Sequence, residues 1–171
     1  MKIGVIGIGM LGEAIVLNLL NLGQDVAVYN RTKEKTMRVE NNGAKVMDSP
    51  KAVAENTEIV IIVVKDAIAV REVSFGEKGI VESKNKKPII ADMSTIDAEE
   101  SKKIAEEFQR NDIKKIEIPV MGGPNVAITG KLVMMVSGPK SSFDYCKPIF
   151  EKIANKILFL GEQGIANSIK L

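Results

Sequence analysis

Residues 1–32 read MKIGVIGIGMLGEAIVLNLLNLGQDVAVYNRT, and the order of residue types in this stretch decides the fold. Ile3–Ile6 is an apolar run of strand length, and Val26–Tyr29 is a second. Between them Leu11, Ile15, Leu19 and Leu22 recur at helical spacing from about Met10, and Gly23 stops the helix. The strand-to-helix turn is Gly7-Ile8-Gly9-Met10-Leu11-Gly12. Its first glycine makes the tight turn, its second lets a pyrophosphate approach the backbone, and its third lets helix and strand pack closely. A glycine turn of this spacing is weak evidence alone, but between a strand and a helix that opens towards it the reading is a dinucleotide site.

The end of the second strand selects the dinucleotide. A site for an unphosphorylated ribose calls for an acidic residue there, about 20 positions past the glycines. The sequence has Asn30-Arg31-Thr32, with Lys35 close behind, and Asp25 lies at the wrong end of the strand. A neutral amide, a guanidinium and two further donors suit a 2′-phosphate, so NADP(H) is expected over NAD(H). Tyr29 and Lys33 also make a Y-x-x-x-K pair, but beside the adenosine ribose it lies far from any hydride and is coincidental.

Outward from this unit, apolar strand-length runs alternate with helical periods. Thr32 is expected to cap a polar helix to about Asn41, and Ser49-Pro50 opens another. Glu58–Val64 reads as a central strand and Pro88–Ala91 as the next. A helix over 97–110, strands at 116–119 and 132–137, a helix over 143–153 and a strand at 156–160 follow. The expected architecture is α/β, a Rossmann-type doubly wound, mostly parallel sheet over residues 1–160. Residues 161–171 read as the first turns of a helix without its continuation.

Composition narrows the chemistry. A chain of 171 residues, 45% hydrophobic and 27% charged, can bury a core of ordinary domain size. The net charge of +2, five Phe, two Tyr and no Trp argue against nucleic acid. The basic runs 84–87 and Lys114-Lys115 read as solvated loops. The polar interruptions of the N-terminal stretch exclude a leader or a membrane span, and the single cysteine points to a reducing compartment, the cytoplasm. There is no histidine, so imidazole chemistry is absent and no metal site is expected.

Further segments, in order, resemble the β-hydroxyacid dehydrogenase family of 3-hydroxyisobutyrate, glyoxylate or succinic-semialdehyde, and 6-phosphogluconate dehydrogenases. Besides the glycine turn and Asn30-Arg31-Thr32, they are Asp92-Met93-Ser94-Thr95, Pro119-Val120-Met121-Gly122-Gly123 with Gly130-Lys131-Leu132, and Gly161-x-x-Gly164 leading to Lys170. The resemblance implies that Val64, Lys65 and Thr95 stand beside the cofactor. It implies that Ser94, Met121, Gly122 and Gly123 face the substrate and that Lys170 is catalytic, exchanging a proton while hydride moves to or from nicotinamide. Met121 departs from the family's serine, exchanging a hydroxyl donor for a thioether, and Lys65 stands where the family has a small residue or proline. The substrate implied is a small hydroxy acid, aldehyde or keto acid, with 6-phosphogluconate or imine chemistry as alternatives.

The family continues past this lysine into an all-helical domain that these residues do not include. The chain is therefore expected to bind NADP(H) but to be inactive or slow alone, being either a truncated product or a chain whose helical wall is supplied by another chain or a homo-oligomer. A nucleotide-binding module without chemistry is the competing reading.

Overall fold

The computed structural model describes residues Met1–Lys170. Its strands are β1 (Lys2–Ile6), β2 (Asp25–Tyr29), β3 (Lys45–Val46), β4 (Ile59–Ile62), β5 (Ile89–Asp92), β6 (Lys115–Glu117), β7 (Val120–Met121), β8 (Leu132–Ser137) and β9 (Ala154–Gly161). The helices are α1 (Met10–Asn21), α2 (Met37–Asn41), α3 (Pro50–Glu55), α4 (Ala67–Phe75), α5 (Ala98–Gln109), α6 (Pro124–Ala127), α7 (Lys140–Ile153) and α8 (Ile165–Lys170). The sheet runs β3-β2-β1-β4-β5-β6-β8-β7, with β9 paired to β8. This is the doubly wound, mostly parallel architecture expected from the sequence.

Strand alternation divides the core between the two faces. Ile59 and Ile61 join Ile3, Val5 and Val28 on the face covered by Ile15 and Leu19 of α1 and by Phe143, Cys146 and Phe150 of α7. Val60 and Ile62 join Ile6 and Ile90 on the other face, against Val53 of α3, Val70 of α4, and Ile104 and Phe108 of α5. Every residue of β4 is buried, as a strand between two helical layers must be. Full burial of a side chain such as Phe108 is worth about 1.5–3 kcal/mol.

The one reversal of direction has a local cause. The connection Gly122–Lys131 holds only the short α6, less than a parallel crossover needs, so β8 returns antiparallel to β6 and β7. The longer α7 then provides a crossover, and β9 pairs parallel to β8.

One register row carries the site. Tyr29 pairs with Ile6, Ile6 with Ile62, Ile62 with Asp92, Asp92 with Glu117, Glu117 with Ser137, and Ser137 with Gly161. The strands β2, β1, β4, β5, β6, β8 and β9 all end at this level. The next residue of β2, β1, β4, β5 and β6 begins a loop along a single edge, while β8 and β9, running antiparallel to β6, leave the row in the opposite direction.

Several local expectations need correction. Leu22 is 47% exposed because α1 has already ended at Asn21. Its buried face is instead broadened by Ala14, Val16 and Asn18. Thr32 stands before a 3₁₀ turn, Lys33–Thr36, but its hydroxyl makes no cap bond. The second cap does form, with Ser49 Oγ accepting from Ala52 N–H at 3.1 Å. Lys115 is not a solvated loop residue but the first residue of β6, 2% exposed. Its amine donates to Ser101 Oγ at 3.0 Å and stands 3.8 Å from Asp92 Oδ2. Burial pushes its pKa below the usual lysine value, against the opposing pull of Asp92 and Glu117, and burial likewise pushes the Asp92 carboxyl up.

Removing one partner from a buried charge group leaves the other uncompensated, at a cost of about 3–5 kcal/mol. Lys115→Met is therefore expected to lower the urea midpoint by that equivalent, and an unchanged midpoint would contradict the buried network. Cys146 is fully buried and its thiol is pushed up to about 12 by burial. It should resist iodoacetamide at about pH 8 until the chain unfolds, since only exposed thiolate reacts.

Candidate functional site

Above the register row, backbone hydrogen bonds carry the strands one step further. Gly7 N–H donates to Tyr29 O at 3.0 Å, Val63 N–H to Ile6 O at 2.8 Å, Met93 N–H to Ile62 O at 2.8 Å, and Ile118 N–H to Asp92 O at 2.7 Å. The loops that follow, Gly7–Gly9, Asn30–Thr32, Val63–Lys65 and Met93–Thr95, are thus held level with each other. Two side chains then tie them laterally. Asn30 Oδ1 accepts from Ile8 N–H at 2.9 Å while Asn30 Nδ2 donates to Thr32 O at 2.8 Å. Ser94 Oγ accepts from Val64 N–H at 3.1 Å, and Ser94 N–H donates to Asp92 Oδ1 at 3.0 Å.

A cleft of about 290 Å³ opens between the first three loops and α4. It brings together Gly7, Gly9, Asn30, Arg31, Thr32, Lys35, Val64 and Lys65 of the expected cofactor residues. Ala69, Glu72 and Val73 of α4 also line it, with Ile6, Tyr29, Pro50, Val63 and Glu77 completing the wall. Sequence reading missed Ala69, Glu72 and Val73 because α4 was not recognised. The signal was present, since Asp66 caps that helix by accepting from Ala69 N–H at 2.8 Å. Arg31 stands on the rim with its side chain 79% exposed and 3.9 Å from Glu72 Oε2. An exposed pair of this kind holds weakly, so the guanidinium can turn towards an anion.

The α1 N-terminus faces this edge without any side-chain cap, Gly9 being its N-cap residue. Its open N–H groups and helix dipole suit an anion. The three glycines are not equivalent. A Cβ on Gly12 would overlap the Gly7 carbonyl oxygen, so Gly12 is required by the packing of α1 on the turn. A Cβ on Gly9 would meet no protein atom within 4 Å, and its φ of −83° suits any residue. The chain itself gives no reason for glycine at that position, but a ligand lying against it does. Met10 is 80% exposed and Leu11 packs half-buried against the core, and neither lines the cleft.

The remaining expected residues lie outside the cleft. Ser94 is 3% exposed, and its hydroxyl already holds the Val64 amide. Thr95 beside it is exposed. Met121 is 48% exposed at the end of β7, and Gly122 and Gly123 lead from it into α6. Lys170 is half-buried at the end of α8, while Leu171 lies outside the described residues. Asn167, a turn before Lys170, accepts from Ile96 N–H on Oδ1 at 3.4 Å and so packs α8 against the segment that follows Thr95. Also missed was a buried polar group of Asp92, Lys115, Ser101, Glu117 and Asn167 beneath this segment. Among the described residues no cluster of acidic or cysteine side chains is placed to hold a metal ion, and no helix is long and apolar enough to cross a membrane.

Residues 2–161 match the family described as the NAD binding domain of 6-phosphogluconate dehydrogenase. YfjR of Bacillus subtilis, named an uncharacterized oxidoreductase, is 36% identical over 172 residues, covering 100% of this chain and 60% of its own length. Glyoxylate/succinic semialdehyde reductase 1 of Arabidopsis thaliana is 33% identical over 171 residues, covering 100% of this chain and 59% of its own length. The chain thus spans about 60% of these curated relatives. Among solved structures, Psf3 in complex with NADP⁺ and 2-OPP superposes with a TM-score of 0.93 at 27% identity, over 98% of this chain and 60% of that one.

The glycine geometry separates folding from binding. Gly9→Val should fold with the parent's stability and lose dinucleotide affinity by roughly tenfold or more, read by fluorescence titration with NADPH. Gly12→Val should instead lower thermal stability, through overpacking worth about 1–3 kcal/mol. Unchanged affinity in Gly9→Val would remove the dinucleotide from this turn.

Proposed function

Since the chain belongs to the family of the NAD-binding domain of 6-phosphogluconate dehydrogenase, we propose that it holds NADP(H) for hydride exchange with a small hydroxy acid, or with the matching aldehyde or keto acid. The observation that carries the cofactor choice is the end of β2. The side chain that would have to be a carboxylate to grip a ribose diol is Asn30, with both ends of its amide already bound to the backbone. Around it Arg31, Thr32 and Lys35 ring the cleft with donors for a 2′-phosphate.

The open first turn of α1 would hold the pyrophosphate, with Gly9 allowing its approach. The nicotinamide end would lie towards Val64, Lys65 and Thr95. When bound, the nicotinamide gives or takes a hydride. This chain's residues supply the rest: the Gly122 and Gly123 amides would orient the acid group, and Lys170 would move a proton on or off the reacting oxygen. Met121 gives this pocket an apolar flank in place of a hydroxyl. The exposed faces of Met10, Met121 and Ile169 leave this end of the sheet open to water. Full activity would then require a helical wall packed over it, from a further segment or another chain.

Two measurements test the reading. Arg31→Ala should weaken NADPH binding by roughly tenfold, the loss of one charge-assisted hydrogen bond, and leave NADH binding unchanged. Equal loss for both cofactors, or a parent chain preferring NADH, overturns the NADP(H) assignment. Lys170→Ala should reduce NADPH oxidation with glyoxylate or succinic semialdehyde by roughly 10²–10⁴-fold at unchanged NADPH affinity, and a full rate overturns its role.

A further inference from the structure

Helix α8 is described over Ile165–Lys170. Its place is set by what binds its first turn. Gly164 N–H donates to Glu117 Oε1, and Asn167 N–H donates to Glu117 Oε2 at 2.6 Å. Between them Ala166 N–H donates to Ser137 Oγ at 3.0 Å. Three amides that a helix start leaves open are thus taken by two side chains of the sheet, both fully buried. Those two side chains belong to the single residue pair that joins β6 to β8.

Glu117 is prepared for this task. Its Oε1 also accepts from Ser101 Oγ at 3.2 Å and from Gln163 Nε2 at 3.1 Å. Ser101 Oγ in turn accepts from the buried Lys115 amine at 3.0 Å, which places a cation one hydroxyl away from the carboxylate. A helix N-terminus favours an anion, and a carboxylate can accept from several donors at once where a neutral amide offers one oxygen. Lys170 lies three residues beyond Asn167, on the next turn of the same helix face.

We propose that Glu117 is the positioning residue of Lys170: its carboxylate clamps the first turn of α8 and so sets where the Lys170 amine stands relative to the bound nicotinamide. The catalytic meaning of this clamp rests on Lys170 being the proton carrier. Ser137 and the chain of Ser101 and Lys115 are its supports. Glu117→Gln keeps the volume but turns an NH₂ group towards an N–H donor, so it breaks the clamp with the least change in packing.

The test uses the whole chain, Met1–Leu171, with two readouts. Amide hydrogen exchange reports whether α8 stays docked. The NMR signal of ¹³C-methylated Lys170, identified by its loss in Lys170→Arg, reports its response to saturating NADP⁺, with binding itself followed on the amides of residues 7–12. In Glu117→Gln, exchange at 164–168 should rise roughly tenfold or more, with β1 and β4 unchanged, and the Lys170 response to NADP⁺ should shrink although NADP⁺ still binds. Ser137→Ala, a milder change, should raise exchange at Ala166 alone. Parent-like exchange at 164–168 in Glu117→Gln overturns the clamp. A parent chain whose Lys170 signal ignores bound NADP⁺ overturns the proton-carrier reading instead, even with exchange behaving as expected.

Discussion

The row of paired residues from Tyr29 through Ile6, Ile62, Asp92, Glu117 and Ser137 to Gly161 is the constraint on which the rest of this molecule depends. Side chains alternate along a strand, so a slip of one residue would exchange the two faces of that strand. In β4 such a slip would move Val60 and Ile62 into the layer that Ile59 and Ile61 now fill. Both layers are packed against helices, which makes the slip costly and the register unique. A unique register means that the strands end together. Loops that start at a common level can then be joined by single hydrogen bonds.

Those joints explain why several polar residues near the site do structural work. Asn30 and Ser94 each hold the backbone of a neighbouring loop, Asn30 reaching the glycine turn and Ser94 reaching Val64. An unpaired buried amide costs about 1–3 kcal/mol, so these bonds hold the loops firmly. Firm loops matter more to a cofactor site than an extra ligand contact, because ligand positioning carries much of the advantage of an enzyme. The side chains along the edge that hold no loop backbone, Arg31, Lys35, Lys65 and Thr95, are all exposed and form its adjustable part.

What was legible in the sequence was local and periodic. The continuous apolar run of β4, the stripe of α1 and the glycine turn all show within a dozen residues, and they place the fold and the cofactor loop. What escaped was set by distant partners. Lys115 looks like a surface lysine in a basic pair, yet it is buried by Ser101 and Asp92, 14 and 23 positions away. Glu117 sits within an apolar run that gives no hint of the helix start it serves 47 positions later. The antiparallel return of β8 escaped as well, because it depends on the length of the connection and not on the pattern of the strand. Asn30 was legible as a neutral residue at the strand end but not as a strut, since its partner Ile8 offers only a backbone amide.

Helix α8 shows what directional bonding contributes that burial does not. Its docked face carries Asn167 and the amides of its first turn, bound to Glu117, Ser137 and Ile96, with little beyond Ala166 to bury. Its larger apolar residues, Ile165 and Ile169, are 38% and 59% exposed. A helix seated on apolar area alone can slide or roll among similar arrangements at small cost. A helix seated on a two-oxygen clamp has one position in which the backbone amides of its first turn are satisfied, because any displacement leaves a buried carboxylate or amide unpaired. That trade favours precision over stability. It also leaves the apolar side of α8 free to pack against a further surface without disturbing the bonds that fix its position on the sheet.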